Sequence, residues 1–152
     1  NFTYWTQHCW GVTCVNDMEA MLSYQPITIG DKEQALADLV RCYEKMMMRS
    51  HTNGGYVNLL DECWKMCEKF HTNIVIMYDH VSCKNVGGLH GLFEDQARER
   101  GIHLIWIPHD VMDPRTVSRR EMREAFSQYM VTVLNEKPLD PTLLDYEDAL
   151  SW

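Results

Sequence analysis

One short run, Ile74-Val75-Ile76-Met77-Tyr78, has no polar face. A strand over 73–78 built on it is apolar on both sides, which calls for helices on both faces and is the habit of parallel sheets. A helical pattern follows at 88–100 with Leu89, Leu92, Phe93 and Ala97, and Gly101 stands where a left-handed residue closes a helix. Residues 102–107, Ile-His-Leu-Ile-Trp-Ile, read as a second strand stopped by Pro108. Ser118 with Glu121 then forms a capping box for a long helix carrying Met122, Ala125, Phe126, Tyr129, Met130, Val133 and Leu134. Strand–helix–strand–helix is the repeating unit of an α/β fold. The expected architecture is an open, mainly parallel sheet with helices on both faces, a flavodoxin-like three-layer arrangement.

The rest of the chain is organised around this centre. Asp31, with Gln34 three residues on, is a capping-box-like start for a helix over 32–49. Leu36, Leu39, Val40, Tyr43, Met46 and Met47 recur along it at helical spacing. A further helix at about 55–70 carries Tyr56, Leu59, Leu60, Cys63, Cys67 and Phe70. Residues 17–24 can make a short helix, Ile27-Thr28-Ile29 reads as a short strand, and 1–15 show no clear periodicity. The expected division is 1–30 as the end of a preceding segment or the entry to the domain, 31–138 as the α/β domain, and 139–152 as an acidic carboxy-terminal tail packing on a neighbour. The chain opens Asn-Phe-Thr-Tyr-Trp without a Met, which reads as a cut within a longer protein.

Composition narrows the function classes. With 45% hydrophobic and 24% charged residues, 152 residues suit one globular domain rather than a disordered chain. A net charge of −8 is the wrong sign for tracking nucleic-acid phosphates. Arg115, Arg119, Arg120 and Arg123 cluster, but Glu121 and Glu124 interleave with them, as on a solvated helix face. No apolar run is long enough to span a membrane and no secretory pattern is present, so the expectation is a cytoplasmic protein. In that setting the six cysteines are thiols or ligands rather than disulfides.

Ligands of open parallel sheets bind beyond the carboxyl ends of the strands. Two loops qualify, Asp79 to Gly88 and Pro108 to Arg115. Cys83 is the sharpest candidate: it follows the apolar strand, precedes a helix start whose free amides suit an anion, and has Lys84 beside it. Spacing alone leaves an ordinary loop thiol as the competing reading. Cys63 and Cys67 lie one helical turn apart on an apolar stripe, which points to packing. Cys9 and Cys14 make no convincing zinc site, and Cys42 sits inside a helix. His80 could donate a proton, or serve the loop backbone as a structural partner. His103 alternates with apolar residues and reads as structural, while His109 and Asp110 stand at the second strand end. Asp113-Pro114-Arg115 is a turn with a local ion pair, and Gly87-Gly88-x-x-Gly91 lacks the dinucleotide fingerprint spacing.

Taken in order, Tyr78-Asp79-His80-Val81-Ser82-Cys83-Lys84, a helix, Arg100-Gly101-Ile102, a strand, and Asp110-x-x-Asp113-Pro114-Arg115 resemble the last domain of the 2-hydroxyacyl-CoA dehydratase and benzoyl-CoA reductase family. The resemblance is good over 72–137, weaker over 31–71, and absent over 1–30 and 139–152. It implies a two-subunit, oxygen-sensitive enzyme in which each subunit holds a 4Fe–4S cluster through three cysteines. Cys83 matches the one contributed by this domain, and the other two belong to earlier domains. It further implies an ATP-dependent iron–sulfur activator that supplies one electron, an acyl-CoA substrate, and water loss through a ketyl radical anion. The Gly-Gly-Leu-His-Gly stretch at 87–91 leans towards the 2-hydroxyglutaryl-CoA dehydratase type. No catalytic role carries over to His80 or Asp79. A benzoyl-CoA reductase subunit and a non-catalytic α/β scaffold or interface domain are the alternatives.

Overall fold

The computed structural model describes residues 2–18, 26–44, 49, 54–113 and 115–145. Its elements are α1 (Phe2–Trp10), α2 (Lys32–Glu44), α3 (Tyr56–Phe70), β1 (Ile74–His80), α4 (Lys84–Gly87), α5 (His90–Arg100), β2 (His103–His109) and α6 (Arg119–Thr132), then a 3₁₀ turn at Pro141–Leu143. They fall into two compact units, one made of 1–14 with 73–152 and the other of 15–72. The class is mixed α/β.

In the first unit β1 and β2 pair in parallel, from Ile74 against His103 to His80 against His109. Alternate side chains leave opposite faces of a strand. Ile105 and Ile107 are buried beside Phe126 and Met130 of α6 and Trp5, Cys9 and Trp10 of α1. Trp106, between them in sequence, meets Phe93 of α5 edge-on, with ring centroids 6.1 Å apart. Both strands run two residues further than the sequence suggests. Pro108 does not stop β2: its partner on β1 is Asp79, and a proline fits an edge strand whose other side needs no N–H donor.

α1 was not legible as a helix, yet Phe2, Trp5, Thr6, Cys9 and Trp10 recur at helical spacing, and the last four are buried. Gly11 closes it with φ of 73°, its N–H reaching Gln7 O at 3.0 Å and that of Val12 reaching Thr6 O at 3.1 Å. The segment after α6 returns to α1: Leu139 N–H donates to Cys9 O at 2.7 Å, and Trp5 Nε1–H donates to Leu143 O at 2.8 Å. Gly101 is left-handed, as expected, with φ of 66°.

The Ser118 capping box is present in both directions: Glu121 N–H donates to Ser118 Oγ at 3.1 Å, and Ser118 N–H to Glu121 Oε2 at 2.6 Å. Ser118→Ala removes one of these bonds and strands an amide, so a loss of about 1 kcal/mol in urea unfolding is expected. A change below about 0.3 kcal/mol would mean that the cap contributes nothing net.

The second unit contains α2 and α3. Leu59, Leu60, Cys63, Trp64 and Cys67 of α3 are buried, in keeping with a packing role for the two thiols. α2 forms as the spacing predicts, but its apolar residues are not what it buries. Leu36, Leu39, Val40 and Tyr43 are exposed, and the buried residue of the helix is Asp38. The physical reason is the donor set around that carboxylate. Thr28 gives its N–H at 2.9 Å and its hydroxyl at 2.7 Å, Gln34 its Nε2–H at 2.8 Å, and Arg41 its guanidinium at 3.0 Å. Thr28 therefore spends its amide on Asp38 rather than on a strand ladder, and Ile27–Ile29 is not a strand. Asp31 caps α2 through Gln34 N–H at 3.1 Å, but the Gln34 side chain turns to Asp38 instead of completing a box. The proposed helix over 17–24 and the end of the one over 32–49 lie largely outside the described residues.

The hydroxyl of Thr28, followed by its N–H and the Gln34 amide, holds Asp38 below the usual carboxylate range, against the opposing effect of burial. A depressed folded-state value gives stabilisation that is present above the unfolded value, roughly 3.9, and lost as pH falls through the folded value. Protection of the Thr28 amide against hydrogen exchange should thus persist through pH 4 and fail at lower pH. Asp38→Asn should remove that pH dependence, and an unchanged profile in the variant would assign the effect elsewhere. No helix among the described residues is long and apolar enough to cross a membrane.

Candidate functional site at the carboxyl rim of the strands

Because β1 and β2 are in register, His80 and His109 end them side by side, and the two candidate loops leave from one rim. The first loop is a tight turn. Cys83 N–H donates to His80 O at 2.9 Å, and Ser82 N–H donates to His80 Nδ1 at 3.1 Å, with Ser82 Oγ 3.2 Å from the same nitrogen. Cys83 is half-buried. It is the N-cap residue of α4, which has no side-chain cap, and its carbonyl accepts from Gly87 N–H at 3.0 Å.

The second loop is folded around two carboxylates. Asp110 accepts from Met112 N–H at 2.9 Å and from Asp113 N–H at 3.3 Å. The Met112 amide, together with that of Asp113 and the Thr116 hydroxyl, holds Asp110 below the usual carboxylate range, although burial opposes this. Asp113 takes Arg115 in a fork, Nε to Oδ1 at 2.9 Å and an NH2 group to Oδ2 at 2.8 Å. That fork depresses the acid and raises the guanidinium. Asp113 and Arg115 thus form the local ion pair expected of them.

The loops touch each other. Val81 N–H donates to His109 O at 3.1 Å. The His80 ring spans the same gap, its Nε2 lying 3.9 Å from Asp110 Oδ1 and 3.4 Å from Val111 N. The sequence named His80 and Asp110 separately, and nothing in it joined them. The signal was available in the register, since equal strand lengths put the residue after His109 beside His80.

A second cluster escaped sequence reading. His90, at the start of α5, stacks on Trp106 with centroids 3.7 Å apart and places Nε2 3.3 Å from Asp79 Oδ1. His103 lies at the far end of β2, its Nδ1 3.4 Å from the Tyr129 hydroxyl, as a structural group would. Burial raises the pKa of that phenol.

The other cysteines are scattered. Cys9 is sealed in the aromatic core, where burial pushes its thiol up and its Sγ–H points to Asp140 O at 3.5 Å. Cys14 is exposed, Cys42 is half-buried, and Cys63 and Cys67 belong to the second unit. Among the described residues no three His, Cys, Asp or Glu side chains gather as a metal site. Comparison with protein-family models, curated proteins and solved structures gives no match.

Proposed function

We propose that this chain is the carboxy-terminal α/β domain of an iron–sulfur dehydratase subunit, one that removes water from a 2-hydroxyacyl-CoA. In this reading Cys83 is its one ligand to a 4Fe–4S cluster. The observation that carries it is the position of Cys83: a half-buried thiol at the carboxyl rim of a parallel strand pair, at the head of α4. Ligands of parallel sheets gather at this rim, and a thiol there can reach a group held jointly with another domain. The remaining ligands, further strands completing a flavodoxin-like sheet, a second subunit and an ATP-dependent activator belong to the same proposal. So does a reducing cytoplasm, which would keep the six cysteines as thiols.

The cluster, when bound, supplies the one-electron chemistry. The chain's own residues hold it in place. The tight turn at His80–Cys83 fixes where the thiol stands, and Asp110 and the Asp113–Arg115 fork stiffen the loop opposite. No proton transfer is assigned to His80. The test is iron and acid-labile sulfide in the complete subunit, made without oxygen, as wild type and as Cys83→Ser. Loss in the variant supports the reading. Equal content favours the second reading, a non-catalytic scaffold or interface domain, for which the exposed apolar face of α2 speaks.

A further inference from the structure

The two strands are covered in the opposite sense to their composition. β1 carries the continuous apolar run Ile74–Tyr78, yet none of its residues is buried. β2, which begins and ends in histidine, buries Ile105 and Ile107. Ile74 and Ile76 pack on the aromatic core and stay half-buried, and Tyr78 is 44% exposed.

The ladder tells which side of β1 is open. At one end His103 N–H donates to Asn73 O at 2.9 Å, and at the other Val81 N–H donates to His109 O at 3.1 Å. The register between them is unbroken, so Asn73, Val75, Met77, Asp79 and Val81 direct their backbone groups to β2. Backbone groups alternate in direction along a strand, and Ile74, Ile76 and Tyr78 therefore turn theirs away from β2. By the same parity Leu104, Trp106 and Pro108 face the outer side of β2. Among the described residues the sheet has these two strands alone, and no hydrogen bond reaches the backbone of Ile74 or Ile76 on the outer side.

The two outer edges are not equivalent. Pro108 has no N–H to offer at an outward position, a feature of strands that end a sheet. β1 presents donors and acceptors at every second residue, a row that extended chain matches at about 3.3 Å per residue. A strand laid beside one that is apolar on both faces has to be apolar on both faces itself, a continuous run rather than an alternating one.

We infer that the outer edge of β1 is a docking edge for one extended, continuously apolar segment supplied by polypeptide outside the 152 residues, and that β2 ends the sheet. A second copy of the chain is the competing occupant. Its β1 would pair antiparallel across a two-fold axis, whereas strands apolar on both faces belong to parallel sheets. That the segment comes from the rest of a dehydratase subunit rests on the proposed function; the choice of edge does not.

Hydrogen exchange at four neighbouring amides tests this. In the 152-residue chain, Val75 and Met77 should be protected, while Ile74 and Ile76 exchange at least about tenfold faster, the effect of one hydrogen bond. In the complete subunit all four should be protected alike. Ile76→Pro removes one outward donor. It should leave Val75 and Met77 protected in the 152-residue chain, as an edge position allows, and restore fast exchange at Ile74 in the complete subunit. The unsubstituted proteins decide the matter even where the variant fails to fold. Protection of Ile74 and Ile76 already in the 152-residue chain, through a dimer seen by light scattering or through another part of the same chain, overturns the inference. So does fast exchange of both in the complete subunit, even one that holds iron. Protection of all four in a complete subunit that lacks iron when made without oxygen sinks only the proposed function.

Discussion

Phe126→Ala is expected to destabilise the protein by about 3–5 kcal/mol, a large share of the roughly 5–15 kcal/mol that holds a typical domain folded. The ring is fully buried on the sheet-facing side of α6, and three aromatic side chains of α1 surround it. Phe2 meets it at 5.8 Å and 90°, Trp5 at 5.8 Å and 73°, and Trp10 at 6.4 Å and 68° between ring centroids and planes. Edge-to-face pairs add about 0.5–1.5 kcal/mol each beyond the area they bury. The loss should also be non-local, because α1 is separated from the rest of its unit by a long stretch of chain and is tied to it by these rings and the clasp at Leu139. Urea unfolding followed by tryptophan fluorescence measures the cost. Phe126→Leu, which keeps most of the volume, should lose much less. A cost below about 1 kcal/mol for the alanine variant, ordinary for a surface position, would show that α1 does not depend on this ring.

The legible parts of this fold are those where local chemistry and tertiary environment agree. The Ile74–Tyr78 run became β1, Gly101 closed α5, and Ser118 with Glu121 capped α6, each because a few adjacent residues decide the outcome. α1 was missed although its spacing is helical: nine residues give little more than two turns, and its apolar residues are aromatics more often read as strand formers. α2 was legible as a helix, but what it buries was not. A binary pattern assigns apolar residues to the interior, but it has no means of knowing that Thr28, Gln34 and Arg41 converge on Asp38 and make a carboxylate the best-satisfied buried group. The rim shows the same limit. Residue types marked the two loops, while their joining through His80 and Asp110 depends on strand register, a long-range property. The His90–Trp106 stack needed the crossing of α5 over β2, which no local pattern encodes.

Under the proposed function, Cys83→Ser in the complete subunit prepared without oxygen should lose most of its iron, with affinity falling by at least the 10- to 100-fold typical of outer-shell changes. Serine is close in shape to cysteine, so the turn and α4 should survive; circular dichroism and protection of the Gly87 amide, which donates to the carbonyl of residue 83 at 3.0 Å, check that. What changes is the donor. Iron–sulfur clusters are held by thiolate sulfur, and a hydroxyl neither ionises at neutral pH nor matches a soft metal centre. Cys14→Ser is the control, an exposed thiol in the segment after α1 whose replacement should leave iron untouched. Cys9 would be a poor control, since it is buried in the aromatic core and its loss would perturb folding. The discriminating pattern is therefore a fall in iron and sulfide with Cys83→Ser alone, in a protein that stays folded. If both serine variants retain the wild-type iron, the thiol at the rim is idle, and the domain's role lies in its surfaces rather than in a metal centre.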